Sequence, residues 1–125
     1  MIITIFTANM DRAVKFYTEI LGCRVQHRFG DHWAQLQADN GAIIGLHPAT
    51  PQNPAGIKGS IQLGINAKED IRKVVEEMKA KGVKFTGPIV DDQQVLIANF
   101  EDPDGNPFYL AEVKQNQWSK NSTAA

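Results

Sequence analysis

The residues of this sequence that could do chemistry are aromatic side chains, a histidine and neutral amides, placed at alternate positions in short segments. Such alternation is typical of a β-strand, whose successive side chains point to opposite faces of a sheet. When the apolar residues are assigned to the core, these residues remain for the open face: Phe6, Trp33, Gln35, His47, Gln62, Asn99 and Tyr109. Aromatic rings can stack on a planar molecule and amides can orient it. The pattern therefore predicts that these residues bind a small molecule.

Three of these residues also have simpler explanations. Trp33 and Tyr109 could pack in an interface between two copies of the chain, and His47 could be a hydrogen-bonded residue at the end of a strand. The remaining histidines, His27 and His32, lie near a strand end and a turn, and their spacing does not bring them together. The histidines therefore predict no metal site.

Two further candidates have structural explanations. Cys23 is the only cysteine, has no histidine at a spacing that would mark it as a nucleophile, and is expected to be a small buried strand residue. Asp102 and Asp104 could suggest calcium, but aspartate is common in turns and the remaining spacing of a calcium loop is absent. We therefore assign no catalytic residue.

Two stretches of similar design must position the open-face residues. In the first, Asn9 is placed to cap a helix that ends at Gly22, because asparagine accepts hydrogen bonds at a helix start and glycine adopts the conformation needed at its end. The strands of this stretch are predicted over residues 2–7, 23–28, 32–38 and 42–47. The order is strand, helix and three strands.

The second stretch repeats this order after a linker over residues 48–59 that is rich in proline and glycine. Asn66 and Glu69 resemble a capping box for its helix, which ends at Gly82. Its strands are predicted over residues 60–65 and 83–85 and on either side of the turn Asp102–Asn106. The alternation assigns these aliphatic residues to the core: Ile3, Ile5, Ile61, Leu63 and Ile65.

Length and repetition predict an α+β protein with a single domain over residues 1–114. Its parts are module one over 1–47, the linker over 48–59 and module two over 60–114, followed by a polar tail over 115–125. In each module the helix must cover one face of a sheet. The other face is left for a ligand or a partner.

Charge and composition exclude several classes of partner. The formal net charge is −1, so no electrostatic argument favours nucleic acid or an anionic membrane. A lone cysteine fits a reducing compartment, and no apolar stretch approaches the roughly 20 residues of a membrane helix. We therefore expect a soluble, cytoplasmic protein.

The run from Asp11 to Tyr17 that continues to Leu21-Gly22, together with the later turn Asp102–Asn106 and its closing strand, resembles the vicinal oxygen chelate superfamily. This superfamily is also called the glyoxalase, bleomycin resistance and dioxygenase superfamily. The resemblance covers nearly all of 2–113. It implies two βαβββ modules that form a cup-shaped mixed sheet with helices on the outer face, commonly in a homodimer. Members that are enzymes hold a divalent metal in the cup.

The resemblance also implies where metal ligands would lie, at Ile2, Gly45, Ser60 and Tyr109. A catalytic divalent metal needs two or more histidine, carboxylate or glutamine side chains that converge on it. The first three residues are not competent ligands, and a neutral tyrosine is a poor one. We therefore expect no catalytic metal and no other cofactor.

Three functions remain open. The first is a metal-free protein of the sequestration or resistance type that binds a small, planar aromatic molecule. Because the chain is near neutral and Arg28 is expected beside the cup, a neutral or weakly acidic ligand is favoured over cationic bleomycin. The second is a glyoxalase-like lyase or isomerase with atypical metal ligands, or with acid and base chemistry at His47 or Tyr109. The third is an interaction module whose cup is filled by a partner chain.

Overall fold

The computed structural model describes residues 1–56 and 61–114. Its helices and strands are β1 (Ile2–Thr7), α1 (Met10–Lys15), a π-helical turn (Phe16–Ile20), β2 (Arg24–Phe29), β3 (Trp33–Gln37), β4 (Ile43–Pro48), β5 (Leu63–Asn66), α2 (Ile71–Ala80), β6 (Lys84–Phe85), β7 (Val90–Asp92), β8 (Val95–Glu101) and β9 (Pro107–Val113). The chain forms two compact units, Met1–Gly59 with Asp102–Asn106 and Ser60–Glu101 with Pro107–Ala125. The predicted tail over 115–125 lies outside the described residues, as does Ser60.

Each unit contains one mixed sheet, and the two sheets repeat the same pairing scheme. In the first unit the order is β1-β4-β3-β2, with β1 parallel to β4 and the other pairs antiparallel. In the second unit β5 is parallel to β9, and β8 is antiparallel to β9. The short strands β6 and β7 both pair with β8. This arrangement confirms the predicted α+β fold of two βαβββ modules.

The strand bounds follow the predicted alternation closely in the first unit. Strands β2, β3 and β4 differ from their predicted bounds by one residue at each end. Strand β7 was not predicted, because Val90 is followed by two aspartates and all three residues are exposed. No apolar alternation marks such a strand.

The core of each sheet lies on the face that its helix covers. In the first unit the buried residues of this face are Ile5, Ala34, Leu36, Ile44 and Leu46, and in the second they are Leu96, Ala98, Phe100, Phe108 and Leu110. Four of the five aliphatic residues predicted for the core are not buried. Leu63 and Ile65 are half-buried. Ile3 is 38 % exposed, since β1 is an edge strand, and Ile61 is 72 % exposed, since β5 begins only at Leu63. Cys23 is buried, as expected.

The helix ends show which capping signals the fold uses. The Asn9 side chain accepts a hydrogen bond from the Arg12 backbone nitrogen at 3.0 Å, as predicted. The predicted capping box at Asn66 is wrong, because Asn66 ends β5 and Asp70 caps α2 instead, accepting from the Arg72 nitrogen at 2.9 Å. No helix in the described parts of the chain is long and apolar enough to span a membrane.

A buried hydrogen bond connects the first helical segment to the turn at 102–106. The Tyr17 hydroxyl donates to Asp102 Oδ2 at 2.7 Å, and the two residues are 0 % and 5 % exposed. Asp102 also accepts from the backbone nitrogens of Asp104 and Asn106 at 3.0 and 2.8 Å, and from Asn106 Nδ2 at 2.7 Å. Its carboxylate therefore organises the turn and anchors it to Tyr17.

The second carboxylate of the turn is satisfied in the same way. Asp104 accepts from the Thr7 hydroxyl at 2.6 Å, the Ala8 nitrogen at 3.0 Å and Arg12 Nη2 at 2.9 Å. Its side chain is 2 % exposed. A buried carboxylate is stable only with such partners, so both aspartates have the turn-forming role that their spacing indicates.

Replacing Tyr17 by phenylalanine tests this contact through the pH dependence of stability. Burial and the Asp102 carboxylate raise the pKa of Tyr17 far above its usual value. Above about pH 10 the unfolded chain therefore loses this proton while the folded chain keeps it, so the free energy of unfolding falls by about 1.4 kcal/mol per pH unit. In Tyr17→Phe we expect stability about 1–3 kcal/mol lower at pH 8 and a shallower decline above pH 10.

Urea unfolding of both proteins between pH 8 and pH 11 measures the two curves. Below about pH 10 the difference in the free energy of unfolding between the two proteins is constant, and this region serves as the internal control. Above about pH 10 the difference becomes smaller. Curves that stay parallel up to pH 11 would show that the Tyr17 proton is not held by the fold.

Candidate functional site

Three predicted ligand-binding residues form an aromatic cluster on the open face of the first sheet. Phe6 is the backbone partner of His47, and the pairing of β3 with β4 brings Trp33 beside His47. The His47 ring centroid lies 5.5 Å from that of Phe6 and 6.4 Å from that of Trp33, both in edge-on arrangements. The prediction that these residues share one surface is confirmed within this unit. Their role in binding stays a prediction.

The hydrogen bond made by His47 fixes which of its ring nitrogens carries a proton. Nδ1 lies 2.7 Å from the carbonyl oxygen of Pro48. A carbonyl oxygen only accepts hydrogen bonds, so Nδ1 must donate. In the neutral ring the lone pair is therefore on Nε2, which can accept a hydrogen bond from a ligand.

A row of polar residues runs beside the aromatic cluster. Gln35 is paired with Gly45 on one side and with His27 on the other. Its amide nitrogen donates to Gln26 Oε1 at 2.9 Å, and Gln26 in turn donates to Gln37 Oε1 at 3.4 Å. Gln35 thus lies on the predicted face, with its amide oriented by neighbouring amides.

The indole ring of Trp33 lies directly over Gly45. A Cβ atom added at Gly45 would collide with the ring, with separations of 2.7 and 2.9 Å from Cζ2 and Cζ3 and a closer contact with Cη2. Gly45 is buried although it has no side chain. The glycine therefore provides the space that the outer atoms of the indole ring occupy against the sheet.

The second unit has a comparable arrangement. The ring of Tyr109 covers Gly64, where an added Cβ would lie 2.6 Å from Cε2 and closer still to Cζ and the hydroxyl oxygen. Asn99 is the backbone partner of Tyr109, and Gln62 Nε2 donates to Asn99 Oδ1 at 2.8 Å and to the Phe108 carbonyl at 3.3 Å. The three predicted residues of this unit thus lie together on its sheet.

Sequence reasoning missed one aromatic residue of the first open face. Phe29 was assigned to a turn, but it is the last residue of β2 and is paired with Trp33. It is 63 % exposed, and its ring centroid lies 5.4 Å from that of His27. The signal that could have identified it is its distance in sequence from Trp33, since a turn limited to the residues between them pairs the two.

The expected position of Arg28 is also corrected. Arg28 pairs with Ala34, whose side chain is in the core, so it points away from the open face. Its guanidinium binds Asp11 at 2.6 Å and Asp31 at 3.2 Å. These two aspartates line a cleft of about 360 Å³ that contains none of the predicted ligand-binding residues.

The residues at the implied metal positions do not fit a divalent metal. Ile2 is aliphatic, Gly45 has no side chain and lies under Trp33, and the Tyr109 ring lies on Gly64. Within 1–56 and 61–114, no three histidine, cysteine or acidic side chains are grouped as ligands. The donor set of the described residues therefore offers no basis for a step at a metal.

Comparisons with known proteins identify related sequences. The family model described as Glyoxalase/Bleomycin resistance protein/Dioxygenase superfamily matches residues 2–110. The chain is 34% identical to the "Probable lactoylglutathione lyase, chloroplastic" of Arabidopsis thaliana over 83% of its own length, but it spans only 33% of that protein. It is 30% identical to "Uncharacterized protein YetH" of Bacillus subtilis (strain 168), with 88% of this chain and 94% of that protein covered.

A solved structure shares the fold. TnmS3, described as an antibiotic binding protein from Streptomyces sp. CB03234, matches with a TM-score of 0.74 and 24% sequence identity. The match covers 90% of this chain and 93% of TnmS3. At this identity the comparison supports the fold alone.

Replacing Gly45 by alanine tests whether the glycine positions Trp33. In most strands this change is favourable, because glycine loses more conformational freedom on folding, but here the new methyl group must displace an indole ring. We expect Gly45→Ala to lower the free energy of unfolding by about 1–3 kcal/mol and to shift the emission of Trp33 towards that of a solvated indole. The measurement uses a Trp118→Phe background, so that Trp33 is the only tryptophan.

Gly87→Ala is the matched control, since a Cβ added at Gly87 meets nothing within 4 Å. It should leave both the emission and the stability nearly unchanged. If Gly45→Ala left the emission and the stability unchanged as this control does, the position of the Trp33 ring would not depend on Gly45.

Proposed function

The chain belongs to the glyoxalase/bleomycin resistance protein/dioxygenase superfamily, and from this premise we propose that it binds a small, planar aromatic molecule without a catalytic metal, as a sequestration or resistance protein. The observation that carries the proposal is the aromatic cluster of the first sheet, in which the indole ring of Trp33 lies over Gly45 beside His47. Trp33 is only half-buried, so part of its ring is open to a planar ligand. Stacking on such a ring contributes on the order of 1–3 kcal/mol.

The metal-free part of the proposal is supported by steric exclusion as well as by chemistry. A ligating side chain at position 45 would need the space that the Trp33 ring occupies. The chain therefore has a stacking surface where the resemblance implies a ligand. A single tyrosine does not replace two or more converging donors.

The described charges favour a neutral or weakly acidic ligand. Arg28 is paired with two aspartates and faces away from the aromatic cluster. Arg24, however, pairs with Gln37 on the open face and donates to its Oε1 at 3.2 Å. The side chains that surround Trp33 on the open face are aromatic, amide or imidazole groups. Such a face recognises ring shape and hydrogen-bonding groups more than charge.

The second sheet offers a separate candidate face. Tyr109 covers Gly64 as Trp33 covers Gly45, and the Gln62 and Asn99 amides lie beside it. One amide hydrogen bond already joins these two side chains, which fixes their orientation. We include them among the ligand-binding residues of the proposal.

Similar proteins support this proposal in different degrees. TnmS3, which shares the fold, is described as binding an antibiotic, and ligand sequestration is the same class of function. The similarity to a probable lactoylglutathione lyase favours a second candidate, a lyase or isomerase. Because the chain spans about a third of that protein, its activity is not transferred as the first choice.

The second candidate function has a specific chemical basis in His47. Its Nε2 lone pair could accept a proton from a bound substrate without any metal. Stoichiometric zinc, nickel, manganese or iron in protein purified without chelator, or turnover of a hemithioacetal, would favour this candidate over sequestration.

We also propose that the protein is a cytoplasmic homodimer. Ile2 and Ile3 of the edge strand β1 are 48 % and 38 % exposed, and an apolar edge strand is suited to pairing with another chain. We expect light scattering to give twice the mass of the chain, and Ile2→Lys with Ile3→Lys to shift the population towards monomer. A wild-type monomer at high protein concentration would contradict the proposal.

Ligand binding is tested by titrating neutral planar aromatic compounds into the Trp118→Phe variant while following Trp33 fluorescence. We expect quenching by at least one compound, and calorimetric affinity about tenfold or more weaker in Trp33→Leu because the stacking contact is lost. Trp33→Phe keeps a smaller ring and should lose less. Protein treated with chelator should bind as tightly as untreated protein.

A uniform lack of response across the panel would contradict the proposed function. It would favour an open face covered by a partner chain. Binding that disappears after chelation would contradict the metal-free part alone.

A further inference from the structure

We propose that His27 and Phe29 form a second aromatic subsite on the open face of the first sheet, so that the ligand is an elongated molecule with several fused or linked rings. The inference rests on the proposed function and specifies the shape of its ligand. It adds residues outside the predicted set and gives the binding face a direction.

Backbone register places both residues on this face. In an antiparallel pair, residues directly opposite each other point to the same side of the sheet. Phe29 is opposite Trp33, and His27 is opposite Gln35. The irregularity of β2 lies between Val25 and His27 and therefore leaves this register intact.

The exposure of Phe29 is high for a large apolar side chain. It is 63 % exposed, while its ring contacts that of His27 at a centroid distance of 5.4 Å. Exposed apolar surface beside an aromatic cluster is typical of a binding site. Covering Phe29 with an aromatic ligand would remove this surface from water.

The aromatic residues follow one line across the sheet. Phe6, His47, Trp33 and Phe29 occupy successive strands in the order β1-β4-β3-β2. Neighbouring strands are about 4.8 Å apart, so this row spans roughly 14 Å. A ligand with one ring covers only part of this length, whereas three or four rings in line would reach from the cluster to Phe29.

A second row of paired residues on this face carries polar side chains. Thr4, Gly45, Gln35 and His27 are paired across the same four strands. Because the Trp33 ring lies over Gly45, the polar groups of this row that lie nearest Phe29 are the Gln35 amide and the His27 imidazole. These groups can exchange hydrogen bonds with a ligand whose rings contact the aromatic row. The face therefore fits an elongated, planar molecule that carries hydrogen-bonding groups.

Calorimetry with probes of increasing length tests this inference. Phenol has one ring, 2-naphthol has two fused rings, and lumichrome has three fused rings with most of its hydrogen-bonding groups in the ring at one end. We expect the affinity of the full chain to increase in that order. Phe29→Ser should weaken lumichrome binding about tenfold and leave phenol binding unchanged, because phenol does not reach Phe29.

Val25→Ser is the matched control. Val25 is a 44 % exposed apolar residue of the same strand, but it pairs with the buried Leu36 and so points to the other face. It should bind all three probes as the wild type does. Thermal melting verifies that both variants fold.

Two results would overturn the inference and are distinguishable from failure of the proposed function. If lumichrome binds Phe29→Ser as tightly as the wild type, the second subsite is wrong while ligand binding stands. If Phe29→Ser changes the mass in solution without changing any affinity, the surface is a contact between copies. If none of the probes binds the wild type, the proposed function fails together with the inference.

Discussion

The structure of the first unit depends on the hydrogen bond between Tyr17 and Asp102, which are 85 residues apart in sequence. Both groups are buried, so each would be costly without the other. Tyr17 lies in a π-helical turn, where the helix widens from the α-helical pattern that precedes it. The Asp102 carboxylate accepts hydrogen bonds from this donor and from backbone nitrogens of the turn at 102–106, and these bonds stabilise the conformation of the turn.

This constraint reaches the candidate site through β1. Asp104, in the same turn, accepts hydrogen bonds from Thr7 and Ala8, at the end of the strand that carries Phe6. Phe6 meets His47 in the adjoining strand, and His47 meets Trp33. The hydrogen bonds of Asp104 thus hold the end of β1, the strand from which the aromatic row begins.

Much of the fold could be predicted from the sequence because its signals are local. Asn9 and Gly22 mark a helix start and end whatever the rest of the chain does, and the alternation of β3 and β4 assigns their faces correctly. The choice between Asn66 and Asp70 as a cap was different. It depends on where β5 stops, and that is decided by the pairing of Asn66 with Ala111, far away in sequence.

The candidate site, like the fold, was predictable only where the signal is local in the sequence. Period-two alternation identified Trp33 and His47, but not that Trp33 lies over Gly45, since that contact depends on a rotamer and on the neighbouring strand. The alternation of β2 would have assigned Arg28 and Phe29 to opposite faces, had the turn after it been placed one residue later. The position of the turn matters because a shift of one residue in the register exchanges the two faces of a strand.

The glycines at positions 45 and 64 determine which side chains can occupy the open face of each sheet. In each sheet an aromatic ring fills the space above a residue without a side chain. Any larger residue at position 45, a metal ligand included, would displace Trp33. Stacking by Trp33 and ligation from position 45 are therefore mutually exclusive uses of the same area of sheet, and in this chain the indole ring occupies it. If the proposed function holds, this surface selects ligands by ring shape and by the placement of their hydrogen-bonding groups.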